Sequence, residues 1–189
     1  MKITRSELEG VLLLDPPCFG DSRGFFMELW NEETYKELGF THSFLQDNLS
    51  RSAKGVLRGL HYQNPHAQGK LVSVLEGEVY DVALDIRRGS PTFGKWEAYY
   101  LSDQNKSQLY VPPGFAHGFV VVSDSALFTY KCTDLYHPEC EKTILWSDPD
   151  LNIPWPVDTP LLSKKDKEGI ALKDMPEGDL PNYGDSFNS

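Results

Sequence analysis

Cysteine is scarce in this chain. Only three cysteines, Cys18, Cys132 and Cys140, occur among 189 residues, and no two have the C-x-x-C spacing of zinc and redox motifs. An odd number of widely spaced cysteines argues against the disulfide framework that small secreted domains use. The sequence therefore predicts three reduced thiols and no structural zinc site.

Long apolar segments are also missing. The longest runs, such as Phe119–Val122, are far shorter than the roughly 20 residues that a transmembrane helix needs. No apolar segment follows a basic stretch near Met1, so no secretory signal is recognisable. We therefore expect a cytoplasmic protein that does not associate with membranes.

Basic residues are outnumbered by acidic ones. The chain has 18 Lys and Arg against 28 Asp and Glu, a formal net charge of −10. Nucleic acid is a poor partner for such a surface, because neutralising phosphates requires clustered Lys and Arg. A small anionic ligand remains compatible with this charge if a few basic side chains converge in one pocket.

The chain lacks the strand–helix–strand rhythm of a Rossmann domain and any glycine-rich phosphate loop after a strand. It has instead many short apolar segments separated by Gly, Pro, Asp and Asn, which predict an all-β barrel or sandwich. The predicted strands are Val11–Leu14, Gly24–Trp30, Phe44–Asn48, Gly55–Leu60, Lys70–Glu76, Glu78–Ile86, Trp96–Leu101, Gln108–Val111, Gly118–Val122, Ala126–Lys131 and Thr143–Trp146.

Helical signals are few. Glu32–Leu38 is predicted to form a short helix that is capped by Asn31 and ends at Gly39. Ser163, followed three residues later by Asp166, is a possible second helix start. We expect one domain over residues 1–175 and a loosely ordered tail over residues 176–189, which are rich in Pro, Gly, Asp and Asn.

Two polar residues fall on predicted interior strand faces. Alternation places Lys70 on the same face as Val72 and Val74, and Tyr130 on the same face as Phe128. A lysine on an apolar face is costly unless it meets an anion or has a lowered pKa. The alternative is that Lys70 lies at a strand end and reaches water.

A metal site is the first alternative for the histidines. His61, His117 and Glu76 could form a two-histidine, one-carboxylate site. The His-x-His pattern expected in the first half of a metal-binding cupin is absent, because Tyr62 and Gln63 follow His61. We therefore predict neither a metal nor another cofactor.

Nine motifs follow one another along the chain. They are FGDSRGFF from Phe19, QDNLS from Gln46, VLRGLH from Val56, GKLV from Gly69, DVALDIR from Asp81, SPTFG from Ser90, PGFAHGF from Pro113, YKCT from Tyr130 and WSD from Trp146. Together they resemble the dTDP-4-dehydrorhamnose 3,5-epimerase family, over about Phe19 to Asp166. The resemblance implies an all-β, cupin-type jelly-roll barrel with a few short helices, mainly near the C-terminus. It also implies an isomerase that inverts C3 and C5 of dTDP-4-dehydro-6-deoxy-D-glucose next to the C4 ketone.

The resemblance assigns catalytic roles to four residues. His61 would be the base, Asp166 its carboxylate partner, Tyr130 the acid on the opposite face of the sugar, and Lys70 the cation that stabilises the enolate oxygen. Three alternatives remain open. Asp166 could serve only as a helix cap, Asp81 or Asp85 could orient His61 instead, and Tyr136 could replace Tyr130.

The resemblance also implies a homodimer whose exchanged N-terminal segment completes the neighbouring site. Two other functions stay open: a 3- or 5-epimerase of a related nucleotide-linked 4-keto-6-deoxysugar, and a non-catalytic sugar-binding cupin. Phe19 and Phe26 could stack on a ligand or line the pocket, although aromatic residues at such positions are more often part of the core. The implied substrate-binding residues are Arg23, Glu28, Gln46, Asn48, Arg58, Lys70, His117, Glu141 and Lys165.

Overall fold

The structure is a computed structural model that describes residues 1–40 and 42–185. Thirteen named strands dominate the described part of the chain. The strands are β1 (Lys2–Arg5), β2 (Leu12–Asp15), β3 (Cys18–Asp21), β4 (Gly24–Met27), β5 (Gln46–Ala53), β6 (Leu57–Gln63), β7 (Lys70–Glu76), β8 (Glu78–Asp85), β9 (Trp96–Ser102), β10 (Gln108–Val111), β11 (Phe115–Val121), β12 (Ser125–Cys132) and β13 (Glu141–Thr143).

Two antiparallel sheets face each other to form a jelly-roll barrel of the cupin type, as the resemblance implies. One sheet has the order β1-β2-β10-β7-β12-β5, and the other has the order β13-β6-β11-β8-β9. Strands β3 and β4 pair only with each other, as a separate hairpin. Chain neighbours such as β6 and β7 lie in different sheets, so residues close in sequence reach opposite walls of the barrel.

The core between the sheets confirms the predicted alternation. Val72, Val74, Ala126 and Phe128 belong to one buried cluster, and Tyr130 packs against it. Alternate residues of a strand line one face of its sheet, so this apolar row fixes the register of β7 and β12. A slip of one residue would turn Tyr130 out of the barrel.

The helices are short. Helix α1 (Glu32–Glu37) is capped as predicted, because the Asn31 side chain accepts from the backbone N–H groups of Glu33 and Thr34. Helix α2 (Lys164–Lys167) begins with a capping box between Ser163 and Asp166. Three 3₁₀ helices complete the described helices: Pro138–Cys140, Leu172–Asp174 and Glu177–Asp179. No helix in residues 1–40 and 42–185 is long and apolar enough to cross a membrane.

Several predicted boundaries shift. Strand β6 continues to Gln63, three residues beyond the predicted end, because it pairs with β13 on one side and β11 on the other. The predicted strand from Gly24 ends at Met27, where the hairpin with Cys18–Asp21 ends. The prediction missed β1 and β3 altogether.

The segment after Met175 differs from the loose tail that its composition predicts. Leu180 is only 7% exposed and belongs to a buried cluster on the five-stranded sheet that contains β6, β8, β9, β11 and β13. The Tyr183 ring lies beneath the Arg87 guanidinium, with 5.1 Å between the guanidinium carbon and the ring centroid. These contacts hold residues 176–185 against the barrel, whereas residues 186–189 lie outside the described residues.

Candidate active site

A cavity of about 330 Å³ opens between the two sheets. This volume is at the lower end of the range typical of small-molecule sites. Both sheets contribute to the cavity wall, so a bound molecule would contact side chains on opposite faces. Its lining residues are Gln46, Asn48, Ser50, Arg58, His61, Tyr62, Gln63, Gln68, Lys70, His117, Phe119, Phe128, Tyr130, Tyr136, Glu141 and Lys165.

His61 and Asp166 form a hydrogen-bonded pair on one wall. The distance between His61 Nε2 and Asp166 Oδ1 is 2.6 Å, although 105 residues separate them in sequence. Asp166 Oδ1 also accepts from the Gly59 N–H, and its Oδ2 accepts from the Ser163 hydroxyl at 2.6 Å. The carboxylate therefore both orients the imidazole and caps α2, and the two interpretations of Asp166 are not exclusive.

The electrostatics of this pair favour a neutral imidazole beside an ionised carboxylate. Burial lowers the pKa of His61 and outweighs the hydrogen bond to Asp166, which acts in the opposite direction. Burial would raise the pKa of Asp166, but hydrogen bonds from His61 and Ser163 outweigh it and lower that pKa to about 2. Because the neutral His61 donates its Nε2–H to the ionised carboxylate, its Nδ1 carries the lone pair.

Tyr130 comes from the opposite sheet. It lies on β12, whereas His61 lies on β6, and both side chains line the same cavity. Burial is the largest cause of a pKa of about 12 for Tyr130, so its phenol stays protonated at neutral pH. The cavity is thus bounded by a neutral base on one wall and a protonated weak acid on the other.

Lys70 spans the barrel between these walls. It begins β7, and its Nζ donates to the backbone carbonyl of His61 at 3.5 Å. Burial lowers the pKa of Lys70, since a charged ammonium loses hydration inside the cavity. The structure therefore places Lys70 in the cavity rather than at a water-exposed strand end.

Two aspartates proposed as alternative partners of His61 have other partners, so that alternative is wrong. Asp81 Oδ1 lies 2.8 Å from His117 Nε2, on the neighbouring strand. Asp85 accepts from Arg87, Ser90 and Thr92 in a separate buried network. The reason is topological: β8 pairs with β11 and β9, and β11 lies between β8 and β6.

Most of the other polar side chains in the cavity have hydrogen-bond partners. Glu141 accepts from Tyr136 and Lys165, at 2.8 and 2.7 Å. Gln46 donates to the Asn48 side-chain oxygen at 2.9 Å. Lys70 and Arg58 form no ion pair within the described residues; Arg58 Nε donates to the Ser52 hydroxyl instead. These two cations are therefore available to an anionic ligand.

Two of the residues expected to bind substrate lie outside this cavity. Arg23 is at the tip of the β3–β4 hairpin, with its side chain 88% exposed and paired with Asp21. Glu28 accepts from the Asn31 side chain beside α1. Of the three residues of the metal alternative, His61 and His117 line the cavity. The Glu76 carboxylate is instead paired with Arg51 at an exposed position.

Sequence reasoning missed several cavity residues. Gln63 and Gln68 both line the cavity and donate to backbone carbonyls of the loop after β12. The GKLV motif adjoins Gln68, so its position was available from sequence, whereas Gln63 lies beyond Leu60, where the predicted strand ends. Phe119 and Phe128 stack at 4.0 Å and form the apolar floor.

An imidazole–carboxylate pair and a phenol on opposite walls of a jelly-roll barrel define a cupin-type sugar epimerase. The family model for dTDP-4-dehydrorhamnose 3,5-epimerase matches residues 5–174. A relative of that name from Pseudomonas aeruginosa is 57% identical over 176 residues, covering 92% of this chain and 97% of the relative. The chain belongs to the dTDP-4-dehydrorhamnose 3,5-epimerase family.

Solved structures agree with this assignment. A dTDP-6-deoxy-D-glucose-3,5-epimerase from Legionella pneumophila, in complex with dTDP-4-keto-L-rhamnose, is similar at a TM-score of 0.95 and 52% identity. That match covers 97% of this chain and 99% of the other. A 3′-monoepimerase from Streptomyces bikiniensis, in complex with dTDP-quinovose, is similar at a TM-score of 0.88 and 34% identity, covering 94% and 92% of the two chains.

Proposed function

We propose that this protein inverts C3 and C5 of dTDP-4-dehydro-6-deoxy-D-glucose to give dTDP-4-dehydro-L-rhamnose. One observation carries the proposal: His61, held by Asp166, and Tyr130 line one cavity from opposite sheets, and Lys70 lies in the same cavity. Epimerisation next to a ketone uses a base on one face of the sugar and an acid on the other, because a proton leaves one face and another arrives on the opposite face. A cation beside the ketone oxygen stabilises the enolate that forms between these two steps.

In the proposed mechanism His61 Nδ1 removes the proton from a carbon next to the C4 ketone. Asp166 stabilises the imidazolium that forms, while the bonding electrons move to the ketone oxygen. The Lys70 ammonium stabilises that enolate oxygen, and charge stabilisation in a water-poor site is usually the largest catalytic contribution. Burial of the Lys70 ammonium costs free energy, and this cost is offset when negative charge develops on the ketone oxygen. The interaction is therefore stronger in the transition state than in the ground state.

Tyr130 completes each inversion. Its phenol donates a proton to the enolate carbon from the opposite face, and the phenolate is reprotonated as His61 releases its proton to solvent. A pKa of about 12 keeps the Tyr130 phenol protonated before the reaction. The same pair then acts on the second carbon, so two inversions require the sugar to present C3 and C5 in turn.

The nucleotide part is proposed to bind where the cavity is cationic. Arg58 suits a diphosphate because its planar guanidinium donates two hydrogen bonds at once. Gln46 and Asn48 on β5 supply amide groups, and Lys165 and Glu141 frame the opposite rim. His117, buried against Asp81, contributes a ring edge to the same cavity.

We also propose a homodimer in the cytoplasm that binds neither nucleic acid nor membranes. The β3–β4 hairpin carries Phe19, Phe25 and Phe26, which are 67%, 62% and 71% exposed. Three such aromatic residues are costly in water but not in an interface. Exchange of this segment between protomers would bring Arg23 and Glu28 to the cavity of the other protomer.

The decisive experiment is product analysis in D₂O with dTDP-4-dehydro-6-deoxy-D-glucose and a downstream NADPH-dependent reductase. We expect deuterium at both C3 and C5 and reduction to the L-rhamnose product. The monoepimerase relative supports one rival, a 3-epimerase of a related sugar. Deuterium at C3 alone would favour that rival, and no incorporation at either carbon would favour a non-catalytic sugar-binding cupin.

A further inference from the structure

A second cluster of histidine and carboxylate side chains lies outside the candidate active site. His66 lies in the loop between β6 and β7, and Asp134 and His137 lie in the loop after β12. One possible ligand atom from each residue lies within 4.8 Å of the other two. None of the three lines the cavity that contains His61.

The spacing is close to that of a metal site. Two ligands on one zinc ion, at about 2.0–2.1 Å each, are roughly 3.3 Å apart in tetrahedral geometry. His66 Nδ1 and Asp134 Oδ2 are already 3.3 Å apart. The imidazoles of His66 and His137 are stacked, with centroids 4.0 Å apart and an interplanar angle of 17°. An ion lies in the plane of each imidazole that binds it, so the stacked rings would have to unstack before both could bind one ion; His66 is exposed and can turn its ring towards the Asp134 carboxylate and His137.

The two loops are held together independently of any ligand. The buried Gln63 side chain donates to the carbonyls of His66 and Leu135, at 2.7 and 3.2 Å, and accepts from the His137 N–H at 2.8 Å. Gln68 donates to the Asp134 carbonyl at 2.9 Å. A site on such fixed backbone loses little conformational entropy when it binds an ion.

A second carboxylate, Glu139, lies beside His137. His137 Nδ1 lies 3.4 Å from Glu139 Oε1. A histidine that ligates a metal commonly donates its other ring N–H to a carboxylate, which fixes the tautomer and raises the basicity of the ligating nitrogen. Glu139 on Nδ1 would leave Nε2 of His137 for a metal ion.

We propose that His66, Asp134 and His137 bind a divalent transition-metal ion, with Zn²⁺ the best match. Two imidazoles and one carboxylate suit zinc, whereas calcium and magnesium prefer sets made only of oxygen ligands. The net charge of −10 favours cation binding in general, but it selects neither this place nor this metal. The ion takes no part in epimerisation, because its ligands lie outside the reacting cavity.

The consequence of binding is structural. Gln63 and Gln68, which hold the two loops together, also line the cavity, as does Tyr136 between Asp134 and His137. An ion that joins the loops would thus rigidify one part of the cavity wall. It would also stabilise the folded protein by mass action, since the unfolded chain does not preassemble the three ligands.

The test is titration of the tag-free, chelator-treated protein with ZnCl₂ and CoCl₂, followed by calorimetry and cobalt absorption. We expect one ion per chain, and a Tm that rises with ZnCl₂ and returns with EDTA. H66A and H137A should weaken binding more than 100-fold, while E139Q should weaken it roughly 10- to 100-fold, as outer carboxylates do.

Two controls locate the site. H61A removes an active-site histidine, and D150N removes an exposed carboxylate paired with Lys173, so both should bind Zn²⁺ as the unmodified chain does. H66Q preserves side-chain size and replaces H66A if the smaller residue impairs folding. Undiminished binding in H66Q and H137A would overturn the proposal, as would binding that disappears in H61A or no binding by the unmodified chain.

Discussion

Asp166→Asn tests most directly whether the α2 carboxylate works in catalysis or only caps a helix. Asp166 is 2% exposed, and its two oxygens accept from His61, Gly59 and Ser163. Asparagine keeps one oxygen but replaces the other with an N–H₂ group. If that group faces His61, it donates to Nε2, and the imidazole proton moves to Nδ1, where the base should have its lone pair.

The magnitudes follow from the two roles. Loss of a correctly oriented base should lower kcat by about 10²–10⁴-fold. The lowered pKa of Asp166, about 2 against an ordinary 3.8, corresponds to about 2–3 kcal/mol of stability at neutral pH. The D166N variant would lose part of this, because the neutral amide of asparagine makes weaker hydrogen bonds than a carboxylate.

Ser163→Ala is the matched control. It removes the hydroxyl that pairs with Asp166 Oδ2 and should cost about 0.5–2 kcal/mol, as the loss of an N-cap does, while the 2.6 Å contact to His61 persists. The assay is the reductase-coupled rate, together with urea unfolding of each variant. If D166N kept kcat within about threefold of the unmodified enzyme while losing as much stability as S163A, Asp166 would be a cap and nothing more.

Three further predictions concern the acid, the strand contact beneath the site and pH. Tyr130→Phe keeps the ring packing and removes the proton donor, so the rate of product formation should fall about 10²–10⁴-fold. Removal of the substrate proton by His61 should continue, so label at the substrate C–H should still exchange into solvent. If product formation and label exchange fell by the same factor, His61 and Tyr130 would not have separate roles. Gly118→Ala places a Cβ 2.8 Å from the Arg58 carbonyl and should cost about 1–3 kcal/mol in urea unfolding, whereas Gly178→Ala, which meets nothing within 4 Å, should be nearly neutral. The lowered pKa values of His61 and Asp166 mean that the folded state binds fewer protons than the unfolded state at acid pH. The free energy of unfolding should therefore fall below about pH 6.5 through His61, and again from about pH 4 to 2 through Asp166. A free energy of unfolding, measured in urea, that stays constant between pH 7 and pH 2 would refute this.

Much of the site was predictable from sequence, because strand alternation determines which side chains face the interior of the barrel and the ordered motifs indicate the family. Alternation alone put Lys70 beside Val72 and Tyr130 beside Phe128, and the structure places all four as predicted. Position along a strand needs no knowledge of which strands pair, so a single sequence suffices for it.

The resemblance named Asp166 as the partner of His61, as the structure has it. What local patterns left open or missed depended on long-range pairing. The choice of Asp166 over Asp81 as the partner of His61 rests on β11 lying between β6 and β8, which no local pattern records. The extension of β6 to Gln63 likewise follows from pairing with Glu141, 78 positions further along the chain. Composition also misjudged residues 176–185, because a few apolar residues such as Leu180 fix a segment that is otherwise polar.

The charges of the cavity explain how an acidic protein can take an anionic substrate. In the cavity, Lys165 is paired with Glu141, so this pair adds little net potential, and the neutral imidazole of His61 adds no positive charge beside the ionised Asp166. Arg58 and Lys70 form no ion pair within the described residues. The field of the partly buried Lys70 is strengthened by the low dielectric around it, whereas Arg58 is exposed and water screens its charge. Binding should therefore depend on these two local cations, with the ketone oxygen drawn to Lys70 and the diphosphate to Arg58. Net charge governs only the approach from solvent, which salt screens beyond about 8–10 Å.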